Sequence, residues 1–327
     1  MAVLPPDPVF NLRCPEMGPV NSICFHSCER LLAGTLKGSV FLWDLQTNRS
    51  PLHFEVGQQP ITTLHHTDDI LITQEKGGTV TLWSLSNSGY MRDRTIEGNF
   101  AAFCHTALYT SPAGGGEPLL FYPCDENSIG VLHVNNDVNS PPQMLVPNDS
   151  QLPKLGSVSC FKPFECASQL FLLAGYESGH FLTWDLSSGV VVDLRQFEPE
   201  PMAVDYDPVT NCGIIGGPSE KLICIRYQHQ SMQLQRSNYI VIKNAGINCI
   251  RIRDDQKVFA TGGWDGRVRV FSWRSLRPLA VLTEHKNASG GGIMDIAYSE
   301  DKVSMWNARI MAAAGTDGQI TLWDLYN

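Results

Sequence analysis

No apolar run in this 327-residue sequence approaches the roughly 20 residues that a membrane-spanning helix needs, so no membrane association is expected. Basic residues are also scarce. Lys and Arg together number 24 against 33 Asp and Glu, a net charge of −9, and so acidic a chain is a poor general partner for phosphate backbones. Nucleic-acid binding is therefore disfavoured as the main role. The start, Met1-Ala-Val-Leu-Pro-Pro-Asp-Pro8, has neither a basic region nor an apolar stretch, and a secretory signal is not expected there. The ten cysteines include no CxxC and no disulfide framework. Cys160 and Cys249 each precede a bulky apolar residue and read as small buried hydrophobes, which points to a reducing compartment, cytoplasm and nucleus. The sequence holds no GxSxG, no phosphate loop and no HExxH, so neither catalysis nor a cofactor is expected.

What the chain does have is one phrase used repeatedly. It reads Gly38-Ser-Val-Phe-Leu-Trp43-Asp44-Leu45, then Gly78-Thr-Val-Thr-Leu-Trp83-Ser-Leu85, Gly179-His-Phe-Leu-Thr-Trp184-Asp185-Leu186 and Gly318-Gln-Ile-Thr-Leu-Trp323-Asp324-Leu325. A variant, Gly266-Arg-Val-Arg-Val-Phe-Ser-Trp273, has Phe271 in the Trp position. A turn glycine, alternating apolar residues and a terminal Trp-Asp, at spacings of about 40–50 residues, are the signature of WD40 repeats. The alternation is the period of a pleated strand, and each unit should hold four of them.

The units are placed at 20–56, 60–97, 100–147, 156–197, 202–242, 246–284 and 293–325, within one domain spanning 1–327. Those at 100–147 and 202–242 carry strand patterns but no Trp. Counting both gives an all-β, seven-bladed propeller. The alternative is six blades with one weak stretch as a long loop, and unstructured loops of that length are uncommon. The last unit ends just after its Trp strand. The missing fourth strand matches Pro8-Val-Phe-Asn-Leu-Arg13, which is expected to close the ring by pairing with the last blade and so remove two exposed sheet edges.

The repeat residues Trp43, Asp44, Trp83, Trp184, Asp185, Asp265, Asp317, Trp323 and Asp324 read as structural. A hydrogen-bonded His, Ser or Thr, Asp and Trp set often pins such blades, yet here only fragments stand out. Repeat six offers Thr261 and Asp265 with Phe271 for Trp; repeat seven offers His285, Asp317 and Trp323 with Ala314 at the hydroxyl position. Neither Phe nor Ala can supply the missing bonds, so packing is expected to hold these blades more than polar networks do. Cys24-Phe-His26-Ser-Cys28 has metal-like residue types, but Cys24 and His26 should flank a strand residue and no second ligand pair follows. His65 and His66 with Asp68 and Asp69 are placed in an a–b turn as a solvated loop, and Gly114 to Gly116 and Gly290 to Gly292 as flexible loop material.

Trp264 is the residue that strand packing does not require. It falls in the b–c turn of repeat six, where it either folds over its own blade or anchors a partner, Trp, Tyr and Arg being enriched at interface hot spots. Tyr176, assigned to the same turn of repeat four, poses the same question. Repeat six is also locally basic, with Lys243, Arg251, Arg253, Lys257, Arg267, Arg269, Arg274 and Arg277 against Asp254, Asp255 and Asp265. That sector either steers an acidic partner segment or consists of Arg stems paired with neighbouring carboxylates. The candidate partner-binding residues are Trp264, Tyr176, Arg267, Arg269 and Arg274.

Two stretches resemble a particular WD40 family. They are Leu172-Leu-Ala-Gly-Tyr-Glu-Ser-Gly-His-Phe-Leu-Thr-Trp-Asp-Leu186 and Phe259-Ala-Thr-Gly-Gly-Trp-Asp-Gly-Arg-Val-Arg-Val-Phe-Ser-Trp-Arg-Ser-Leu-Arg-Pro-Leu-Ala-Val-Leu282. The second, with Gly-Trp-Asp followed by Trp-Arg and Pro-Leu-Ala-Val-Leu, is similar to guanine nucleotide-binding protein subunit beta-like protein 1 and its fungal counterpart, ASTRA-associated protein 1. The resemblance implies a non-enzymatic adaptor, and a closed ring should be monomeric by itself. Its implied partners are subunits of the Tel2–Tti co-chaperone assembly and large phosphatidylinositol-3-kinase-related kinases, which serve DNA-damage signalling and growth control. The alternatives are a peptide-reading propeller and a subunit of a ubiquitin ligase or chromatin complex. A heterotrimeric G-protein beta subunit is disfavoured, because the residues before repeat one are proline-rich and show no coiled-coil heptads.

Overall fold

The computed structural model describes residues 6–67, 69–86, 89–100, 102–111, 116–135, 141–148, 152–197, 200–231, 233–285 and 291–326. Asp68, Gly114, Gly115 and Gly290 of the sequence assignments lie outside the described residues. The fold is all-β. Seven four-stranded antiparallel sheets follow one another along the chain, the seven-bladed β-propeller that the repeats predict, without an α-helix among the described residues. The two units without Trp each form a sheet like the others. Blade three is built of Ala107–Tyr109, Leu119–Pro123, Ile129–His133 and Gln143–Leu145. Blade five is built of Ala203–Asp207, Cys212–Gly216, Lys221–Gln228 and Gln233–Val241.

The turn glycines of the repeat phrase have a backbone reason. Gly38, Gly78, Gly179, Gly266 and Gly318 all have φ between 70° and 91°, a left-handed conformation that side chains with a Cβ rarely adopt. That requirement explains why the phrase starts with Gly each time.

The chain forms two compact units, residues 1–66 with 241–327, and residues 67–240. In the first, the last blade consists of Ile293–Tyr298, Ile310–Gly315 and Gln319–Asp324, completed by Phe10–Arg13. Phe10 pairs with Leu322 and Arg13 with Gln319, so the N-terminal strand closes the ring as expected. Leu12 from that strand is fully buried in a core with Met17, Leu31, Trp43, Ile310 and Leu322. Arg13 donates from Nε to Gln319 Oε1 at 2.9 Å, adding a polar tie to the same pairing.

The first strands of the blades in this unit are joined by one carboxylate. Asp295, almost wholly buried in blade seven, accepts through Oδ2 from Ser22 Oγ and from Ile23 N of blade one, both at 3.0 Å. Its Oδ1 accepts from Arg251 Nη2 of blade six at 3.2 Å and from Ile296 N at 2.9 Å. One buried charge with four donors thus ties three consecutive blades, and burial without those donors would cost several kcal/mol, of order 3–5. The sequence shows it only as an acid inside an apolar strand.

In the second unit, residues 67–240, blades four and five pack aromatic on aromatic. Phe164 lies 4.5 Å from the Tyr206 ring and 5.4 Å from that of Tyr227. Lys162 Nζ meets the buried Asp205 carboxylate at 2.7 Å, the counterpart in this unit of the Arg251–Asp295 pair.

Candidate partner-binding surface

Blade six presents its b–c hairpin through strands Val258–Gly263 and Val268–Ser272. Strand b is buried along its whole length, while the outermost strand, Pro278–Leu282, is largely exposed. Trp264 leads the turn between them. Its backbone N donates to Gly246 O at 3.0 Å, and its side chain is 43% exposed. The indole is nevertheless fixed. Nε1 donates to Asn248 Oδ1 at 2.6 Å, and Asn248 Nδ2 donates to Ile293 O at 2.8 Å. The ring lies against Gly246, whose φ is 94°; a Cβ there would stand 2.3 Å from Trp264 Cδ2. Trp264 therefore folds over its own blade and still leaves part of a fixed indole open to solvent. Asn248 and Gly246, which make this possible, carry no motif and were not legible in the sequence.

Asp265, next in the turn, collects the cations. Arg267 Nη1 reaches Oδ2 at 2.6 Å and Arg269 Nη2 reaches it at 2.7 Å, with Arg269 Nη1 to Oδ1 at 3.1 Å. Asn244 Nδ2 adds a bond at 2.7 Å. Burial opposes the charge on Asp265, but the bonds from Arg269 and Arg267 outweigh it and hold the carboxyl well below the usual range. Arg269 is buried, so its assignment as a partner contact is corrected: the guanidinium is spent on Asp265. Arg267 is half-buried on the same carboxylate.

Three more cations of the basic sector are paired in the same way. Arg251 meets Asp295 at 3.2 Å. Arg253, only 2% exposed, binds Asp255 at 2.9 Å and donates to the carbonyls of Leu325 and Tyr326 at 2.7 Å each. Lys257 approaches Asp255 at 3.7 Å. Arg274, Lys243 and Arg277 are exposed. The structure thus supports carboxylate-paired arginines rather than a broad positive field.

Tyr176 is corrected as well. It ends strand b of blade four, Gln169–Tyr176, and is fully buried, so it cannot meet a partner. Its hydroxyl donates to Asn127 O at 3.4 Å, and burial pushes the phenol up. The position faces inward because the strand runs one residue further than the turn assignment assumed.

Blade seven holds more polar structure than the sequence suggests. His285 Nδ1 lies 3.0 Å from Asp317 Oδ1, His285 Nε2 lies 2.8 Å from Thr321 Oγ1, and Trp323 Nε1 donates to Thr321 Oγ1 at 2.8 Å. A ring with its proton on Nδ1 donates to Asp317 and accepts from Thr321, satisfying the whole chain. The expectation that Ala314 leaves the set without a hydroxyl is corrected. The hydroxyl comes from Thr321, across the hairpin from Ala313. Gln319 Nε2 donates to Asp317 Oδ2 at 2.6 Å, so the network continues to Arg13 of the closing strand. Burial opposes charge on Asp317, and the His285 and Gln319 bonds outweigh it, lowering its pKa.

The other repeat residues sit in the cores and turns. Trp43, Trp83 and Trp184 are buried, and Trp83 Nε1 donates to Thr73 Oγ1 at 3.0 Å. Asp44 and Asp185 close turns, accepting from the backbone N of Gln46 and of Ser187, each at 2.9 Å, while Asp324 is exposed. Hydrogen bonds from Thr47 and from Ser187, respectively, lower the pKa of these two carboxyls. Thr261 Oγ1 has no hydrogen-bond partner among the described residues.

The metal-like residues lie in strands. Cys24 and His26 belong to Val20–Ser27, and burial drives the Cys24 thiol up to about 12, which leaves it unreactive near neutrality. His65 and His66 belong to strand Ile61–Thr67 rather than to the a–b turn, a correction to their loop assignment, and the His26 and His66 rings lie 4.0 Å apart. Among the described residues, no group of three His, Cys, Asp or Glu is placed to hold a metal.

Comparison with known proteins agrees with this architecture. The WD domain, G-beta repeat, matches residues 7–44 and 238–272. The chain is 29% identical to mouse guanine nucleotide-binding protein subunit beta-like protein 1, an alignment covering 98% of this chain and 97% of the mouse protein. It is 25% identical to ASTRA-associated protein 1 of Verticillium alfalfae over 91% of this chain and 87% of that protein. It is 32% identical to ASTRA-associated protein 1 of Schizosaccharomyces pombe over 48% and 44%. By its repeat phrase, its seven sheets and the family-model match, the chain carries WD40 repeats, and it is similar along most of its length to guanine nucleotide-binding protein subunit beta-like protein 1 and to ASTRA-associated protein 1.

Proposed function

We propose that this WD40 scaffold is a non-enzymatic adaptor that works with the Tel2–Tti co-chaperone assembly, in the cytoplasm and nucleus, to mature and stabilise phosphatidylinositol-3-kinase-related kinases. The observation that carries the proposal is the near end-to-end alignment with the mouse relative, together with fungal relatives whose name is ASTRA-associated protein 1. Trp264 is the anchor of the partner surface in this reading. A rigid, half-exposed indole loses little conformational freedom on binding, which is the property of an interface hot spot. Arg274, Arg277 and Lys243 are exposed cations of the same blade.

The test is affinity capture of the tagged chain from cell extract at moderate salt, with mass spectrometry of the eluate and kinase levels followed after depletion. Recovery of co-chaperone subunits and giant kinases, with kinase abundance falling on depletion, supports the proposal. Recovery of a ligase core, histones or a gamma subunit in their place, with kinase levels unchanged, overturns it.

A further inference from the structure

Within residues 67–240 an open pocket of about 410 Å³ lies between the segment ahead of blade three, the start of blade four's first strand and the link into blade five. Ala102 and Met202 give it an apolar wall, and Phe103 stands beside them 69% exposed, more so than Trp264. Two glutamates line the same space. Glu177 comes from the b–c turn of blade four, and Glu200 from the link into blade five. Ser157 N donates to Glu177 Oε2 at 3.0 Å, which orients that carboxylate and leaves most of its acceptor capacity unused. Neither glutamate has an ion-pair partner among the described residues, whereas Asp205 in the same unit is matched by Lys162. A separate observation also points to a cation. Lys76 Nζ already stands 5.8 Å from the Phe103 ring centroid, so this ring is sited to attract positive charge through its π-face.

An apolar wall, an aromatic face and two carboxylates complement one kind of side chain: an aliphatic stem ending in a cation. The volume suits such a side chain with room for part of its backbone. We propose that this pocket takes the lysine or arginine side chain of a partner protein segment. The proposal does not depend on the co-chaperone reading, because it concerns what the isolated chain binds.

The experiment uses the full chain with ¹³C-methyl-labelled methionine and follows the Met202 methyl by NMR. The probes are Nα-acetyl-arginine N-methylamide, its lysine analogue, and the citrulline analogue, which keeps the arginine shape but not the charge. A single side chain should bind in the millimolar range. The expected result is a saturable Met202 shift with arginine or lysine, the stronger of the two naming the preferred cation, and binding at least about fivefold weaker with citrulline. The double variant E177Q/E200Q should weaken the cationic probes about tenfold, and Phe103→Ala severalfold. The other methionine methyls report whether the double variant is folded, and the single variant Glu200→Gln, on an exposed link, gives the same reading if it is not. Equal binding of citrulline, unchanged binding by the folded glutamine variants, or a silent Met202 throughout the titration overturns the proposal.

Discussion

Blades six and seven carry the same acid at the same place in the repeat and satisfy it by different chemistry. In blade seven Asp317 is bound by an imidazole, which connects through Thr321 to the buried Trp323. In blade six Asp265 is bound by two guanidiniums and an amide, with Phe271 in the Trp position stacked 4.8 Å from Phe259. Arg269 faces Thr261 across the hairpin as Thr321 faces Ala313, so one register position supplies the hydroxyl in one blade and the cation in the other. What these two blades share is a carboxylate at the b–c turn held by hydrogen bonds from the facing strand and its neighbours. The residue that holds it is free to change if its length and charge change together.

The largest expected effect in this comparison comes from removing the blade-six carboxylate. Asp265→Ala leaves the buried Arg269 guanidinium without its partner and should cost about 3–5 kcal/mol, read as a lowered urea midpoint with an unchanged slope. A loss below about 1 kcal/mol would show that the pair behaves as a solvated surface bridge. In blade seven, His285→Ala takes one hydrogen-bond partner each from Asp317 and the Thr321 hydroxyl, so about 1–3 kcal/mol is expected from the same measurement. If the blade-seven loss exceeds the blade-six loss, the ranking of the two solutions is wrong.

How much of this was visible in advance differs between backbone and side chain. The closing strand was legible at Phe10–Arg13 because an alternating pattern and an unpaired last blade demand each other. Asp265 and Asp317 were legible as repeat residues. Their partners were not, because Arg269 and Thr321 take on those roles only once the hairpin register brings them opposite strand b. Tyr176 was misplaced because one residue of strand length decides whether a side chain enters the core.

Acid should reveal the shared carboxylates. Asp265 and Asp317 both have folded pKa values below the ordinary value of about 3.9, so each adds stability that is complete above that value and disappears as pH falls through the folded one. Urea midpoints measured from pH 7 down to pH 2 should fall below about pH 4–5, and Asp265→Asn should flatten that decline. An equally steep decline in the variant would place the acid sensitivity elsewhere. Removing Leu12 by Leu12→Ala tests the closure independently of either network, with about 2–5 kcal/mol expected for a fully buried leucine.

The smallest effect on stability, and the largest on the proposed function, belongs to Trp264. Trp264→Ala should change stability by no more than about 1 kcal/mol, because the indole is half open to water, while weakening partner capture. A drop of several degrees in the melting temperature with capture intact would make the residue a packing element instead.

The sequence alone determined the all-β class, the blade count and the closing strand, since these follow from periodicity, turn glycines and the need to pair every sheet edge. Tertiary structure alone decided that Trp264 is exposed yet fixed, that the blade-six arginines turn inward, that Asp295 joins three blades and that Glu177, Glu200 and Phe103 share one pocket. Periodicity is a property of neighbours along the chain. Charge pairing and pocket lining depend on residues tens or hundreds of positions apart, and only the folded registers bring them within bonding distance.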